Sequence, residues 1–108
     1  MIKLVYCFTR RRDLSLDEFS HYWHDVHGRI GRRIPGLRRL VQSHPLLPAP
    51  AGYQMDFDGM AELWFDDLEA LNAARASHQW QASTADEANF IDPTRTALFL
   101  TEEREIPA

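Results

Sequence analysis

Five histidines are the side chains of this sequence best suited to moving a proton near neutral pH: His21, His24, His27, His44 and His78. Three of them recur at every third position from residue 21, a spacing that also raises metal ligation. On a helix turning about 100° per residue, His21 and His24 fall about 200° and about 140° from Phe19, while His27 falls about 80° away. Phe19, Trp23, Val26 and Ile30 form one apolar stripe centred near about 10° on the same wheel. His21 and His24 are therefore expected to face water. A His-x-x-His pair there, with no third ligand or ordered second shell in sight, is a weak metal pattern, so no metal site is expected. His27 sits at the edge of the buried stripe, near the end of the helix. The helix dipole favours its protonated form and burial opposes it. Such a ring either performs general acid–base chemistry or is a half-buried structural histidine bonded to a backbone carbonyl.

The remaining candidates are fewer. Tyr22, on the other flank of the stripe, lines a pocket or caps the core. Trp23, Trp64 and Phe19 are packing residues first, whose edges a ligand could touch. His44 ends the second predicted strand, facing either a cleft or solvent. Cys7, in mid-strand, reads as a small buried hydrophobe. No glycine-rich nucleotide loop and no Gly-x-Ser-x-Gly elbow is present. No pair of carboxylates lies inside an apolar strand. An enzyme built from these parts uses few polar groups in a mostly apolar pocket, which suits a small hydrophobic ligand.

The elements that must position these groups emerge from the pattern. Ile2–Thr9 reads as a strand with Ile2, Leu4, Tyr6 and Phe8 on one face and Val5 and Cys7 on the other. Ser15 with Glu18 three residues on is a capping box, opening a helix that Gly28, Gly31 and Pro35-Gly36 weaken and end. Leu37–His44 reads as a second strand, followed by a Pro-rich loop to about Asp58. Met60–Phe65 is a third strand. Asp66 reads as the N-cap of a helix over 67–76, 78–88 as a short irregular or helical segment, and 89–93 as a turn. Ala97–Thr101 is the fourth strand. The order β-α-β-β-α-β predicts an α+β, ferredoxin-like sandwich. Two helices cover only one face of such a sheet, whereas three strands are apolar on both. A second copy of the chain is the simplest cover, closing a dimeric α/β barrel.

Composition sets the outer limits. A chain of 108 residues, 44% hydrophobic and 26% charged, is expected to be one globular domain over 1–108. One cysteine permits no internal disulfide and no thiolate metal cluster. No apolar run reaches the ~18–20 residues of a membrane span, and the N-terminal apolar stretch has its arginines after it, unlike a signal peptide. A soluble, cytoplasmic protein is expected. Residues 1–54 carry nine basic and four acidic side chains, and residues 55–108 three basic and twelve acidic. The net charge of −4 makes a nucleic acid a poor partner. The arginines between 29 and 39 lack interleaved aromatics and read as a solvated face or a surface for an acidic partner.

The stretch from Phe19 through Tyr22-Trp23 to His27-Gly28 resembles the Phe-x-x-Tyr-Trp-x-x-x-His signature of EthD domains, members of the dimeric α/β-barrel superfamily. Asp58–Phe65 resembles the family's third-strand motif. Val41-Gln-Ser-His44 resembles its second strand, with Ser43 where Asn is more usual, and Phe90–Asp92 and Phe99–Glu103 resemble its C-terminal portion. The likeness extends over essentially the whole chain. It implies a homodimer, a pocket between helices and sheet in each protomer, and a functional role for His27. It implies no organic cofactor. The superfamily includes lactone isomerases, polyketide cyclases and dehydratases, and cofactor-free monooxygenases, and fold does not choose among them.

Three functions are then expected to compete. The first is a cofactor-free catabolic or biosynthetic enzyme of oxidoreductase, isomerase or lyase type, acting on a small hydrophobic carbonyl or phenolic compound. There His27 is the general acid or base, Tyr22 assists, and Trp23, His44, Trp64 and Tyr6 contact substrate. The second is a non-catalytic protein that binds a hydrophobic metabolite or supports a partner oxygenase. The third is an acidic-partner surface made of Arg29, Arg32, Arg33, Arg38 and Arg39.

Overall fold

The sheet is organised by its first strand. In a computed structural model describing residues 1–108, β1 (Ile2–Arg10) lies between β3 (Gly59–Phe65) and β4 (Ile91–Thr101), and β2 (Arg39–Ser43) borders β3. The order β2-β3-β1-β4 is antiparallel throughout and is that of a ferredoxin-like α+β fold. Register sorts the side chains. Leu4, Tyr6 and Phe8 share a face with Ala61, Leu63, Leu98, Leu40 and Gln42. Lys3, Val5 and Cys7 share the other with Trp64, Glu62, Met60 and Phe99.

The helices cover the first of these faces. Ser15 caps α1 (Leu16–Tyr22) through a complete capping box with Glu18. The chain then makes one π-helical turn, Trp23–His27, before resuming as α2 (Gly28–Gly31). After β3 come α3 (Leu68–Arg75), α4 (His78–Asp86) and a 3₁₀ turn, Glu87–Asn89. The main core cluster joins Phe8, Ala61 and Ile91 of the sheet to Phe19, Trp23 and Phe90. The Phe8 ring meets those of Trp23 and Phe90 edge-on, at 4.9 and 6.1 Å between centroids.

Several boundaries differ from expectation for identifiable reasons. Asp67, not Asp66, caps α3, because Asp66 is drawn into a two-bond contact with Arg38. Residues 78–86 form a regular helix because Ser77 accepts from the Trp80 amide and satisfies its first turn. The strand predicted at 97–101 begins at Ile91 and includes Pro93. Proline is tolerated there because β4 is an edge strand and its register shifts between Phe8 and Thr9. Val26, expected in the apolar stripe, is 41% exposed, because the π turn rotates it off that stripe.

The face turned from the helices is partly covered from within the chain. Trp64 is buried there: Glu103 accepts its indole N–H at 2.6 Å, and the Arg39 guanidinium lies 4.5 Å from its ring. Lys3 closes the patch through Glu62 at 2.7 Å. Beside it, Phe99 stays 58% exposed. No helix is long and apolar enough to cross a membrane.

Candidate functional site

α4 has no buried residue and packs on α2 and α3 instead of on the sheet. A cavity of about 530 Å³ is left between it and the strands. Its walls are mostly apolar, with Leu4, Phe8, Trp23, Leu63 and Trp80 among them. The polar exceptions include Tyr6, His27, Gln42, Arg75 and Glu87. Leu98 and Leu100 turn the same way as Tyr6 and Leu4 yet remain exposed, so the cavity opens along the β4 edge.

The π turn brings His27 to this cavity. The Gly28 N–H donates to the Trp23 carbonyl, five residues back instead of four. One extra residue in a turn sets the later residues back by about 100° relative to an uninterrupted α-helix. His27, expected about 80° from Phe19, is thereby carried to about −20°, onto the buried stripe, and Val26 is carried off it. The Gln42 side-chain N–H donates to the same Trp23 carbonyl at 2.9 Å, pinning the turn to β2. Gly59 gives the Trp23 indole its seat: a Cβ there would lie 2.5 Å from Cζ3.

The His27 side chain is 15% exposed, its ring 4.7 Å from that of Phe90. Its Nδ1 is 2.9 Å from Asp86 Oδ2, and Asp86 is 9% exposed. Tyr22 Oη donates to Asp86 Oδ1 at 2.5 Å, and Asn89 Nδ2 donates to the same oxygen at 3.0 Å. Burial pushes the Asp86 carboxyl up, but the bonds from Tyr22, His27 and Asn89 outweigh it and hold the group below its ordinary value. Burial pushes His27 down from 6.5, and Asp86 offsets only part of that. At neutral pH the pair is an ionised carboxylate and a neutral imidazole. Since a carboxylate only accepts, Nδ1 carries the ring proton, leaving Nε2 with a free lone pair.

The next residue behaves differently. Glu87 also lines the cavity, and its Oε1 accepts from Tyr6 Oη at 3.1 Å. Burial raises its carboxyl above the ordinary glutamate value; the Tyr6 bond opposes this and the Asp86 charge adds to it.

The sequence-predicted residues are thus divided. Tyr6, Trp23 and His27 line the cavity, and Tyr22 reaches His27 through Asp86. Trp64 lies on the opposite face of the sheet and has no access to it. His44 stacks on the outer side of Trp23, 4.2 Å between ring centroids, and meets Gln42 Oε1. It borders a separate shallow polar cleft with Asp17, His21, His24 and Asp25. There His21 and His24 both turn to Asp25, at 3.1 and 2.8 Å, so the three helical histidines do not converge. Asp86, Glu87 and Asn89 were not anticipated. Their signal lies in chain position: acids at a helix C-terminus oppose its dipole and call for another partner.

Comparison with known proteins agrees with this architecture. A protein of the ethyl tert-butyl ether D (EthD) family from Bacillus halodurans C-125 is 28% identical, with a TM-score of 0.79 over 96% of this chain and 99% of that one. A dimeric protein of ferredoxin-like fold and unknown function from Bacteroides fragilis NCTC 9343 is 16% identical, with a TM-score of 0.64 over 94% and 95%. SnoaB, a cofactor-independent oxygenase from Streptomyces nogalater, is 17% identical, with a TM-score of 0.64 over 97% and 94%. No curated protein matches the sequence significantly. The family model of the EthD domain matches residues 11–94, and the chain belongs to that family.

Proposed function

We propose that this EthD-family protein is a cofactor-free enzyme in which the His27–Asp86 dyad serves as general base toward a small hydrophobic carbonyl or phenolic compound. The observation that carries this reading is the orientation of one ring. Asp86 fixes the proton on Nδ1, and a neutral Nε2 is left for a ligand in an apolar cavity. A purely structural histidine needs neither a buried carboxylate partner nor a cavity. Tyr22 and Asn89 position Asp86 and do not touch the ligand. The cavity volume falls in the usual range for small-ligand sites, about 300–1,000 Å³, and its mostly apolar walls suit a hydrophobic ligand. The fold likeness to a cofactor-independent oxygenase is compatible with this chemistry and does not select a reaction.

The protomer pairs with a second copy through the sheet face away from the helices. Support comes from the exposed Phe99 on that face and from the dimeric relative of the same fold. Sedimentation equilibrium at twice the chain mass is the expected result, and a monomer at micromolar concentration overturns it.

The enzymatic reading is tested by thermal-shift screening of wild type and His27→Ala against lactones, phenols, quinones and short polyketide mimics, with mass spectrometry on every hit. Conversion by wild type, reduced about 10²–10⁴-fold in the variant, is expected. A ligand that binds and is converted equally by both removes His27 from the mechanism.

A further inference from the structure

Two neighbouring carboxylates, Asp86 and Glu87, have been given opposite surroundings. Asp86 accepts from Tyr22, His27 and Asn89. Glu87 accepts only from Tyr6 and forms no ion pair. The titratable groups acting on it are the Tyr6 phenol of β1 and the ionised Asp86 at the end of α4, and His27 of the π turn lines the same cavity. Arg75, the cation on the cavity wall, forms no hydrogen bond or ion pair with it. A carboxylate in such a place is costly as an anion and cheap as an acid. Tyr6 is not the acid: its hydroxyl is already donated to Glu87 Oε1, and burial holds its phenol above its ordinary range. Of the two neighbouring carboxyls, Asp86 is held ionised against His27, whereas Glu87, on the cavity wall with one phenol as partner and no cation, is the one whose surroundings favour the protonated form.

We infer that Glu87 is a second catalytic residue of this cavity: its carboxyl donates a proton to the oxygen of a bound ketone while His27 Nε2 removes one from the adjacent carbon. The substrate class is therefore an apolar ketone with a hydrogen on the carbon beside the carbonyl, and the step is enolisation. The C–H bond breaks and its electron pair forms the C=C bond. The carbonyl π pair moves to oxygen and takes the Glu87 proton. The products are the enol, an imidazolium and a carboxylate, and reversal restores all three partners. Nothing is oxidised or reduced. The inference rests on the dyad reading, since it needs His27 as base.

The test measures exchange of the α-hydrogens of 2-tetralone in D₂O by proton NMR, with wild type, His27→Gln, Glu87→Gln and Tyr6→Phe, each first shown to keep the wild-type circular dichroism spectrum. Wild type is expected to exchange the C1 hydrogens above the buffer rate, declining on the alkaline side as Glu87 loses its proton. Glu87→Gln preserves the acceptor for Tyr6 but has no proton to give; its rate falls about 10²-fold or more and the alkaline decline disappears. Tyr6→Phe removes a bond that favours the carboxylate, so its alkaline decline moves to higher pH. Exchange that needs His27 but is within threefold of wild type in Glu87→Gln overturns this inference and leaves the dyad standing. Exchange that needs Glu87 and not His27 overturns the dyad, and with it this two-residue mechanism. Wild type no faster than buffer overturns the enolisation proposal outright.

Discussion

Asp86→Asn separates the dyad from its own scaffolding. In the native site, Asp86 Oδ1 accepts from Tyr22 and Asn89, and Oδ2 accepts from His27 Nδ1. An asparagine keeps an acceptor on only one arm. With its oxygen toward Tyr22 and Asn89, where two donors converge, its NH₂ faces His27. The imidazole must then accept at Nδ1 and carry its proton on Nε2, the wrong nitrogen for a base in the cavity. All three contacts survive in neutral form. Hydrogen bonds to a charged group contribute about 1.5–3 kcal/mol and neutral ones about 0.5–1.5, so up to about 1 kcal/mol is lost at each. Desolvating a neutral amide instead of a carboxylate recovers part, leaving a loss of about 1–2 kcal/mol. For a chain of this size that lowers Tm by roughly 4–8 °C per kcal/mol. Any His27-dependent turnover falls much further, about 10²–10⁴-fold. Long-range ¹H–¹⁵N NMR of the histidine rings reads the tautomer without a substrate: Nδ1–H in wild type, Nε2–H in the variant. The His27 pKa also moves further below 6.5, because the carboxylate that partly offset burial is gone. An Nε2–H tautomer in wild type, or the same tautomer in both proteins, refutes the dyad.

Two glycines give opposite outcomes in urea melts. Gly59→Ala forces a methyl to 2.5 Å from the Trp23 ring and is expected to cost about 1–3 kcal/mol by overpacking, whereas Gly31→Ala meets Leu40 and Ser83 at 3.8 and 3.9 Å and gains about 0.5–1 kcal/mol from helix propensity. Equal effects would show that the Trp23 seat is not tightly packed. His27, neutral in the fold and lowered from 6.5, makes stability fall as pH drops from 6.5 through its folded value, since the unfolded chain binds the proton first. Glu87, raised from 4.5, makes stability fall as pH climbs from 4.5 through its folded value, since there the folded chain holds the proton longer. Urea midpoints across pH 4–8 should lose the first slope in His27→Gln and the second in Glu87→Gln; slopes unchanged by these substitutions count against both assignments.

How much of the molecule was legible in sequence depends on which interaction sets each feature. The strands β1 and β3 were readable because apolar side chains stand on both faces of each, and both faces are indeed covered: Leu4, Phe8, Ala61 and Phe65 are buried toward the helices, Val5 and Trp64 on the other side. The α1 start was readable because a capping box is local. The α4 segment was not, since its apolar pattern is weak and it buries nothing. It stands off the sheet, ends at Asp86 against His27 and leads into Glu87 on the cavity wall, and no short-range pattern encodes that. Trp64 was assigned to the ligand because a strand tryptophan can face either way. Its cover of Arg39, Lys3 and Glu103 comes from three separate regions of the chain.

The π turn joins the packing of the helix to its chemistry. A purely α-helical wheel places His27 at the margin of the core and Val26 within it. The structure reverses the two: the His27 side chain is mostly buried and Val26 is exposed. The turn itself lacks one α-helical bond, and its compensation comes from outside the helix, where Gln42 reaches from β2 to the Trp23 carbonyl and the Trp23 ring fills the space that Gly59 leaves. An irregularity held by a residue of a second strand and by a glycine of a third is fixed from outside the helix, and π turns of this kind are frequent where a side chain must be directed. Here it directs a histidine onto a buried carboxylate and into an apolar cavity. That is why the Tyr-Trp-x-x-x-His spacing of this helix is a statement about chemistry as well as packing. Trp23 anchors the turn, Tyr22 and His27 meet on one carboxylate, and the residues between them take up the extra length.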